Sequence, residues 1–80
     1  MELSIKLFGI AREIVGTSEL EIELEEQSNV LNLLTQIKEK YPEFAKLSSL
    51  AIAVNAEYAL HSQILQPHDE VALIPPVSGG

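Results

Sequence analysis

The 80-residue sequence contains no cysteine, and its basic residues are few. Without cysteine the chain can form no disulfide, no thiolate metal site and no cysteine nucleophile. Twelve Asp and Glu stand against five Lys and Arg, which gives a formal net charge of −7. Because non-specific nucleic-acid binding depends on Lys and Arg neutralising phosphates, the composition argues against a nucleic-acid partner. The acidic excess serves either solubility or docking to a basic protein partner.

Long apolar runs are missing as well. No segment approaches the roughly 20 apolar residues that a membrane-spanning helix requires, and Met1-Glu2 lacks the basic start of a signal peptide. We therefore predict a soluble cytoplasmic protein that does not bind membranes. At 46% hydrophobic and 21% charged residues, the chain suits one small globular domain with little space for an internal active-site cavity.

Recognisable catalytic constellations are also scarce. The sequence has no glycine-rich phosphate loop, and its serines lack a nearby arrangement of His and Asp. His61 and His68 lie seven residues apart in loop-like sequence, without a third ligand of matching spacing. We predict that this chain binds neither a metal nor a cofactor and does not catalyse a reaction alone.

Two strands are predicted near the start of the chain, because apolar and polar residues alternate there. Gly9 ends the first run, and Gly16-Thr17 follows a short helical turn over residues 10–15. The second run carries its glutamates on the outward face. The inward residues of the two runs are Leu3, Ile5, Leu7, Leu20, Ile22 and Leu24.

A helix is predicted from Val30, where the apolar period changes. Ser28 or Asn29 can cap it, and Pro42 stops it. A third strand follows at Leu50, Ile52 and Val54, a short fourth over residues 57–60, and a last over residues 71–74. The apolar helix stripe is Val30, Leu33, Leu34, Ile37 and Tyr41, of which the first four are predicted to be buried, and Val71 and Leu73 face it from the last strand.

This order predicts an α+β fold, a ubiquitin-like β-grasp in which a mixed sheet of four to five strands packs on one main helix. We expect residues 1–74 to form the domain and residues 75–80 a flexible C-terminal carrier tail. Pro75-Pro76 ends the last strand and stiffens its exit. Gly79-Gly80, without side chains, suits a narrow cleft.

An exposed apolar patch is predicted beside the tail. If Leu7 and Leu73 face the helix, strand alternation turns Phe8 and Ile74 outward. In a β-grasp sheet the first and last strands are neighbours, so these two side chains would lie together. Exposed apolar patches are typical of interfaces, and a single displaced Phe at a strand end is the alternative.

Two segments resemble the MoaD-type small subunit of molybdopterin synthase. Residues 7–16, LFGIAREIVG, and residues 65–80, LQPHDEVALIPPVSGG, are similar to the opening and closing motifs of that family. His68 stands where the family usually has glycine. Since His tolerates positive φ, we predict that the turn there persists.

The resemblance implies that the C-terminus carries sulfur. A ubiquitin-activator-like adenylyltransferase would use ATP and Mg²⁺ to adenylate the Gly80 carboxylate, and a persulfide donor would convert it to a thiocarboxylate. The tail would then deliver sulfur to cyclic pyranopterin monophosphate in the large subunit of molybdopterin synthase, within a heterotetramer. Gly79 would be needed because the cleft of the activating enzyme admits only backbone without a side chain. The predicted partner-binding residues are Phe8, Ile74, Pro75, Pro76, Val77 and Ser78.

Two alternatives stay open at this stage. The chain could carry sulfur for thiamine or tRNA thiolation, although the thiamine carriers are typically shorter and lack the Pro-Pro step. It could also be a ubiquitin-like modifier joined through Gly80 to lysines of target proteins, because the same activated carboxyl group can react with sulfur or with a lysine amine.

Overall fold

The elements follow the predicted order in the computed structural model, which describes residues 1–47 and 49–75. Strand β1 is followed by a short helix α1, strand β2, the main helix α2, a 3-10 helix and strands β3 to β5. Their bounds are Glu2–Leu7 (β1), Ile10–Val15 (α1), Glu19–Glu23 (β2), Val30–Lys40 (α2), Pro42–Lys46 (3-10), Ala51–Val54 (β3), Glu57–Tyr58 (β4) and Val71–Ile74 (β5).

The five strands form one mixed sheet in the order β2-β1-β5-β3-β4. The first and last strands pair in parallel, with Leu7 opposite Leu73. Strands β1 and β2 form the predicted antiparallel hairpin, with Leu3 opposite Ile22. The predicted β-grasp fold is thus confirmed, with five strands and one main helix. Of the helices in residues 1–47 and 49–75, none is long and apolar enough to cross a membrane.

The core lies between the sheet and helix α2. Complete burial of one such aliphatic side chain contributes about 1.5–3 kcal/mol, so the helix stripe is a major part of the stability. The predicted core residues that are buried are Leu3, Ile5, Leu7, Leu20, Ile22, Leu24, Val30, Leu33, Leu34, Ile37, Ile52, Val54, Val71 and Leu73.

Helix α2 begins as the sequence predicts. Asn29 is the cap, and its side chain accepts from the Asn32 backbone at 2.8 Å, while the Asn32 side chain accepts from the Asn29 backbone at 2.9 Å. The backbone N–H of Leu31 donates to the His61 carbonyl, and the backbone N–H of Val30 donates to the Gln63 carbonyl. Since the first N–H groups of a helix have no partner within it, these contacts also fasten the loop before β5 to the helix.

The sequence prediction was wrong at Leu50 and incomplete elsewhere in the core. Leu50 is half-buried because β3 begins one residue later, at Ala51. Phe44, in the unpredicted 3-10 helix, is completely buried and packs edge-on against half-buried Tyr41, with 6.2 Å between ring centroids. Leu65 and Ala11 are also buried, although neither belongs to the predicted stripes.

A two-residue turn joins β3 to β4. Its residues Asn55 and Ala56 both have positive φ, 53° and 69°, and Val54 pairs with Glu57 across it. These are the features of a type I′ hairpin turn, in which Asn-Gly is the favoured sequence. Asn55 suits its position, whereas the Cβ of Ala56 is strained in the left-handed region.

Replacement of Ala56 by Gly is expected to stabilise the domain by about 1 kcal/mol, because it removes that Cβ strain. In a domain of this size the melting temperature should rise by about 4–8 °C. Thermal unfolding followed by circular dichroism measures the change. Ala53→Gly, in the interior of β3, is the matched control and should lower the melting temperature. An Ala56→Gly variant that melts at or below the wild-type temperature contradicts the turn assignment.

Candidate functional site

Phe8 and Ile74 lie where the two parallel central strands end. Leu7 pairs with Leu73, so the next residues in the same register are Phe8 and Ile74. Leu7 and Leu73 are buried on the helix side, which turns the two following side chains to the outer face of the sheet. Phe8 is 49% exposed, and Ile74 is half-buried. The structure brings the two predicted residues together as strand parity required, while their role in partner binding stays a prediction.

The apolar surface continues across the sheet beyond these two residues. Ile74 pairs with Ala51 on its other side. The antiparallel register of β3 and β4 pairs Ala53 with Tyr58. If the same register is continued by two residues on each side, Leu60 lies beside Ala51. Leu60 and Tyr58 are 77% and 76% exposed. We call this outer-face surface the docking patch, and its members are Phe8, Ala51, Tyr58, Leu60 and Ile74.

Three members of the docking patch were missed by sequence reasoning. Ala51 faces outward because it alternates with buried Ile52 and Val54, and Tyr58 and Leu60 share its face because the turn between β3 and β4 contains two residues. That turn length sets which residues face each other, and therefore which face each side chain takes. The Asn55-Ala56 pair was the available signal, but Ala in the second position conceals a turn that Asn-Gly would have marked.

The other half of the outer face is acidic. Strand β2 carries Glu19, Glu21 and Glu23 outward, opposite Lys6, Ser4 and Glu2 of β1. The Ser4 hydroxyl donates to the Glu19 carboxylate at 3.1 Å. One face of the sheet thus offers an apolar half beside a negatively charged half. A complementary partner surface would place an apolar hollow next to basic residues.

A hydrogen-bonded turn holds the start of β5. The Asp69 N–H donates to the Gln66 carbonyl at 3.1 Å, and the Asp69 carboxylate accepts from the Gln66 N–H at 2.7 Å and from the Asn55 side chain at 3.0 Å. The Asn55 side chain also accepts from the Glu70 N–H. These contacts position β5 and hence Pro75, which follows it directly.

His68 lies in this turn, and its backbone differs from the prediction. The turn is present, but His68 is not among the residues with positive φ, which besides glycine are Gln27, Asn55 and Ala56. His68 follows Pro67 at the third position of the turn, where a type I turn has negative φ and accepts most residues. The tolerance of His for positive φ is therefore not needed.

The predicted carrier tail lies mostly outside the described residues. Pro75 is described and half-buried. Pro76, Val77, Ser78, Gly79 and Gly80 lie outside the described ranges, so their predicted roles stay predictions, as does the domain boundary at residue 74.

His61 and His68 are exposed. In residues 1–47 and 49–75, no group of three His, Cys, Asp or Glu side chains is placed to hold a metal ion.

The sheet order and the main helix define the chain as a ubiquitin-like β-grasp protein, with an exposed apolar patch beside the end of β5. The ThiS family model matches residues 5–80. A molybdopterin synthase sulfur carrier subunit of Arabidopsis thaliana is 36% identical over 81 residues, which cover 100% of this chain and 84% of that protein. The chain therefore belongs to the ThiS family, among the molybdopterin synthase sulfur carrier subunits, and the resemblance of residues 7–16 and 65–80 is confirmed.

Solved structures agree with this assignment. A Pyrococcus furiosus protein, described as a molybdopterin converting factor subunit 1, superposes with a TM-score of 0.87 at 30% identity, over 96% of this chain and 99% of that one. A chain from the structure of the complex of subunits 1 and 2 of the Helicobacter pylori molybdopterin-converting factor matches with a TM-score of 0.67 at 25% identity, over 100% of this chain and 100% of that one. Small archaeal modifier protein 1 of Methanosarcina acetivorans matches with a TM-score of 0.76 at 28% identity, over 99% of this chain and 96% of that one.

Proposed function

We propose that this chain is the sulfur carrier subunit of a molybdopterin synthase, and that Gly80 carries the sulfur as a C-terminal thiocarboxylate. The observation that supports this most is the family match, which extends from residue 5 through Gly79-Gly80. The same match includes Pro75-Pro76, a step that the thiamine carriers typically lack. The absence of cysteine is consistent with sulfur that travels on the C-terminus.

The chemistry begins with a carboxylate, which is a poor electrophile. An oxygen of the Gly80 carboxylate attacks the α-phosphorus of ATP on the activating enzyme, with Mg²⁺ on the phosphates, and pyrophosphate leaves. The terminal sulfur of a persulfide then attacks the acyl carbon and displaces AMP. A thiol cleaves the resulting acyl disulfide, so that the thiol is oxidised to a disulfide and the thiocarboxylate is released. The carrier supplies the acyl carbon, and its partners supply the catalytic groups.

Delivery then takes place in the large subunit. The thiocarboxylate sulfur forms a C–S bond with cyclic pyranopterin monophosphate and displaces an oxygen substituent. Water hydrolyses the acyl–sulfur bond, which leaves sulfur on the pterin and restores the Gly80 carboxylate. A dithiolene contains two sulfurs, so each product molecule consumes two thiocarboxylated carriers.

The docking patch supports the partner assignment. Phe8 and Ile74 lie at the C-terminal ends of β1 and β5, where the chain continues from β5 into Pro75. A large subunit that covers the patch therefore holds the root of the tail close to its own active site. The H. pylori complex shows that a protein of this type assembles with a second subunit. We propose the same pairing here, within a heterotetramer of two carriers on a dimer of large subunits.

A second candidate function is protein modification. The similarity to a small archaeal modifier protein at 28% identity favours it, since an adenylated Gly80 can be attacked by a lysine amine as readily as by sulfur. Sulfur transfer to thiamine or tRNA precursors is a third possibility with the same first step.

Reconstitution separates these functions. The carrier is incubated with its activating enzyme, ATP and a persulfide donor, then divided between the large subunit with cyclic pyranopterin monophosphate and a cell lysate. Formation of molybdopterin, with few conjugates in the lysate, supports the synthase assignment. Many conjugates without molybdopterin would establish the modifier function instead.

Replacement of both His61 and His68 by Gln is expected to leave molybdopterin formation within about twofold of wild type. Both side chains are exposed, and His61 contributes its backbone carbonyl to helix α2, which Gln retains. Surface substitutions of this kind change stability by less than about 0.5 kcal/mol. The product is measured with chelated and with zinc-supplemented protein. A large loss that a metal restores would show that the histidines form a metal site.

A further inference from the structure

Gly9 connects β1 to α1 through an unusual backbone conformation. Its φ is 53° and its ψ is −132°, and the Ala11 N–H donates to the Phe8 carbonyl at 3.1 Å. These are the features of a type II′ turn with glycine at its first central position. An L-residue rarely adopts this conformation, so the turn depends on glycine.

Pro75 lies against this turn. A Cβ placed on Gly9 would be 3.6 Å from Cγ of Pro75, which is an ordinary van der Waals distance. The two residues meet because β1 and β5 are parallel and end at the same sheet edge. The space beside Gly9 therefore admits a methyl group, whereas the φ angle of Gly9 opposes one.

We propose that Gly9 is a positioning residue for sulfur transfer, because its type II′ turn lies directly beside Pro75. Pro75 is the last residue before 76–80, so its position sets the point and direction at which the chain leaves the sheet. In the complex the large subunit would hold the tail in its cleft, so that a displacement at Pro75 shifts the reacting carbon of Gly80, and misplacement of a reacting atom by about 1 Å can cost 100-fold in rate. This inference depends on the proposed function and adds a residue outside the tail to it.

The test compares two alanine variants at positions with positive φ, of which Gly9 has the less favourable backbone conformation for an L-residue and Gly16 lies in the left-handed helical region. Gly9→Ala disturbs the turn under Pro75. Gly16→Ala is the matched control, because Gly16 also has positive φ, 91°, but nothing lies within 4 Å of its Cβ position. Both variants should melt several degrees below wild type. Each carrier is prepared with a C-terminal thiocarboxylate by sulfide cleavage of an intein fusion and mixed with the large subunit and cyclic pyranopterin monophosphate.

The readouts are the single-turnover rate constant at saturating large subunit and the dissociation constant of the complex, at a temperature where all variants are folded. We expect Gly9→Ala to lower the rate constant at least tenfold and to change the dissociation constant less than threefold. Gly16→Ala should transfer sulfur at the wild-type rate. Equal rate constants for Gly9→Ala and wild type, or an equal loss in both variants, would overturn the proposal.

Two further variants show whether Gly9 acts through its backbone and through Pro75. A synthetic carrier with D-Ala at position 9 retains the type II′ geometry, which suits a D-residue, and should transfer at the wild-type rate even if Gly9→Ala fails to fold. In a Pro75→Ala background, Gly9→Ala should add less than twofold, because the Cγ atom that lies beside Gly9 is already gone. A slow D-Ala carrier, or independent effects of the two substitutions, contradicts the proposal. If the wild-type thiocarboxylate itself transfers no sulfur, the proposed function fails. That result differs from failure of the Gly9 proposal, in which the wild type is active and the Gly9→Ala variant is equally active.

Discussion

Deletion of Gly80 is expected to abolish molybdopterin formation without lowering thermal stability. The deletion moves the carboxylate back by one residue, about 3.5 Å of chain, so the acyl carbon no longer reaches the reactive groups of either partner. Stability should be unchanged because, within residues 1–47 and 49–75, the buried core residues all lie between Leu3 and Leu73. The loss is measured as molybdopterin formed in the reconstituted system, and stability is measured by thermal unfolding.

A carrier with a Gly80 carboxamide is the matched control for this deletion. It retains every residue of the chain but lacks the carboxylate that attacks ATP. It should bind the large subunit as the wild type does and yet receive no sulfur from the activating system. A truncated carrier that still supports pterin sulfuration would show that Gly80 is not the sulfur carrier.

Replacement of Phe8 by Asp is expected to weaken binding to the large subunit by about 1–3 kcal/mol, which is roughly a 5- to 150-fold rise in the dissociation constant. Phe8 is the aromatic member of the docking patch closest in register to Ile74 and the tail root. A carboxylate there would be desolvated in the complex. The free domain should fold normally, since the Phe8 side chain is 49% exposed. Isothermal titration with the purified large subunit measures the affinity.

Ile64→Asp is the control for Phe8→Asp. Ile64 is 45% exposed, so both substitutions place a charge on a similarly exposed apolar site. Ile64 lines a groove with Met1, at the opposite end of β1, a strand about 20 Å long. Its substitution should leave the affinity unchanged. Equal effects of the two substitutions, or unchanged affinity of a folded Phe8→Asp variant, would contradict the docking patch.

Much of the fold could be predicted because apolar residues recur in its main strands and helix with the regular spacing of those elements. The alternation in β1 and β2 and the stripe of helix α2 each assign many residues to one face at once. Pro42 and the Asn29 cap then mark the ends of the helix. The order of these elements leaves few arrangements that bury all the apolar faces, and the β-grasp is one of them.

The missed features depend on single residues instead of periods. Phe44 occupies a five-residue 3-10 helix, too short to show a stripe, and its burial follows from the packing of that helix against α2 and α1. Leu60 and Tyr58 join the docking patch because of one two-residue turn. Gly9 and Pro75 are neighbours although they lie 66 positions apart in the sequence, and only the parallel pairing of β1 with β5 brings them together.

The central claim is tested most directly by intact-mass spectrometry of the carrier after incubation with its activating enzyme, ATP and a persulfide donor. The account predicts a mass gain equal to replacement of one oxygen by sulfur, located by fragmentation on the C-terminal peptide that ends at Gly80. The gain should disappear when ATP is omitted, because the carboxylate must first be adenylated. An unchanged mass with active partners, or sulfur found on another residue, would contradict the account.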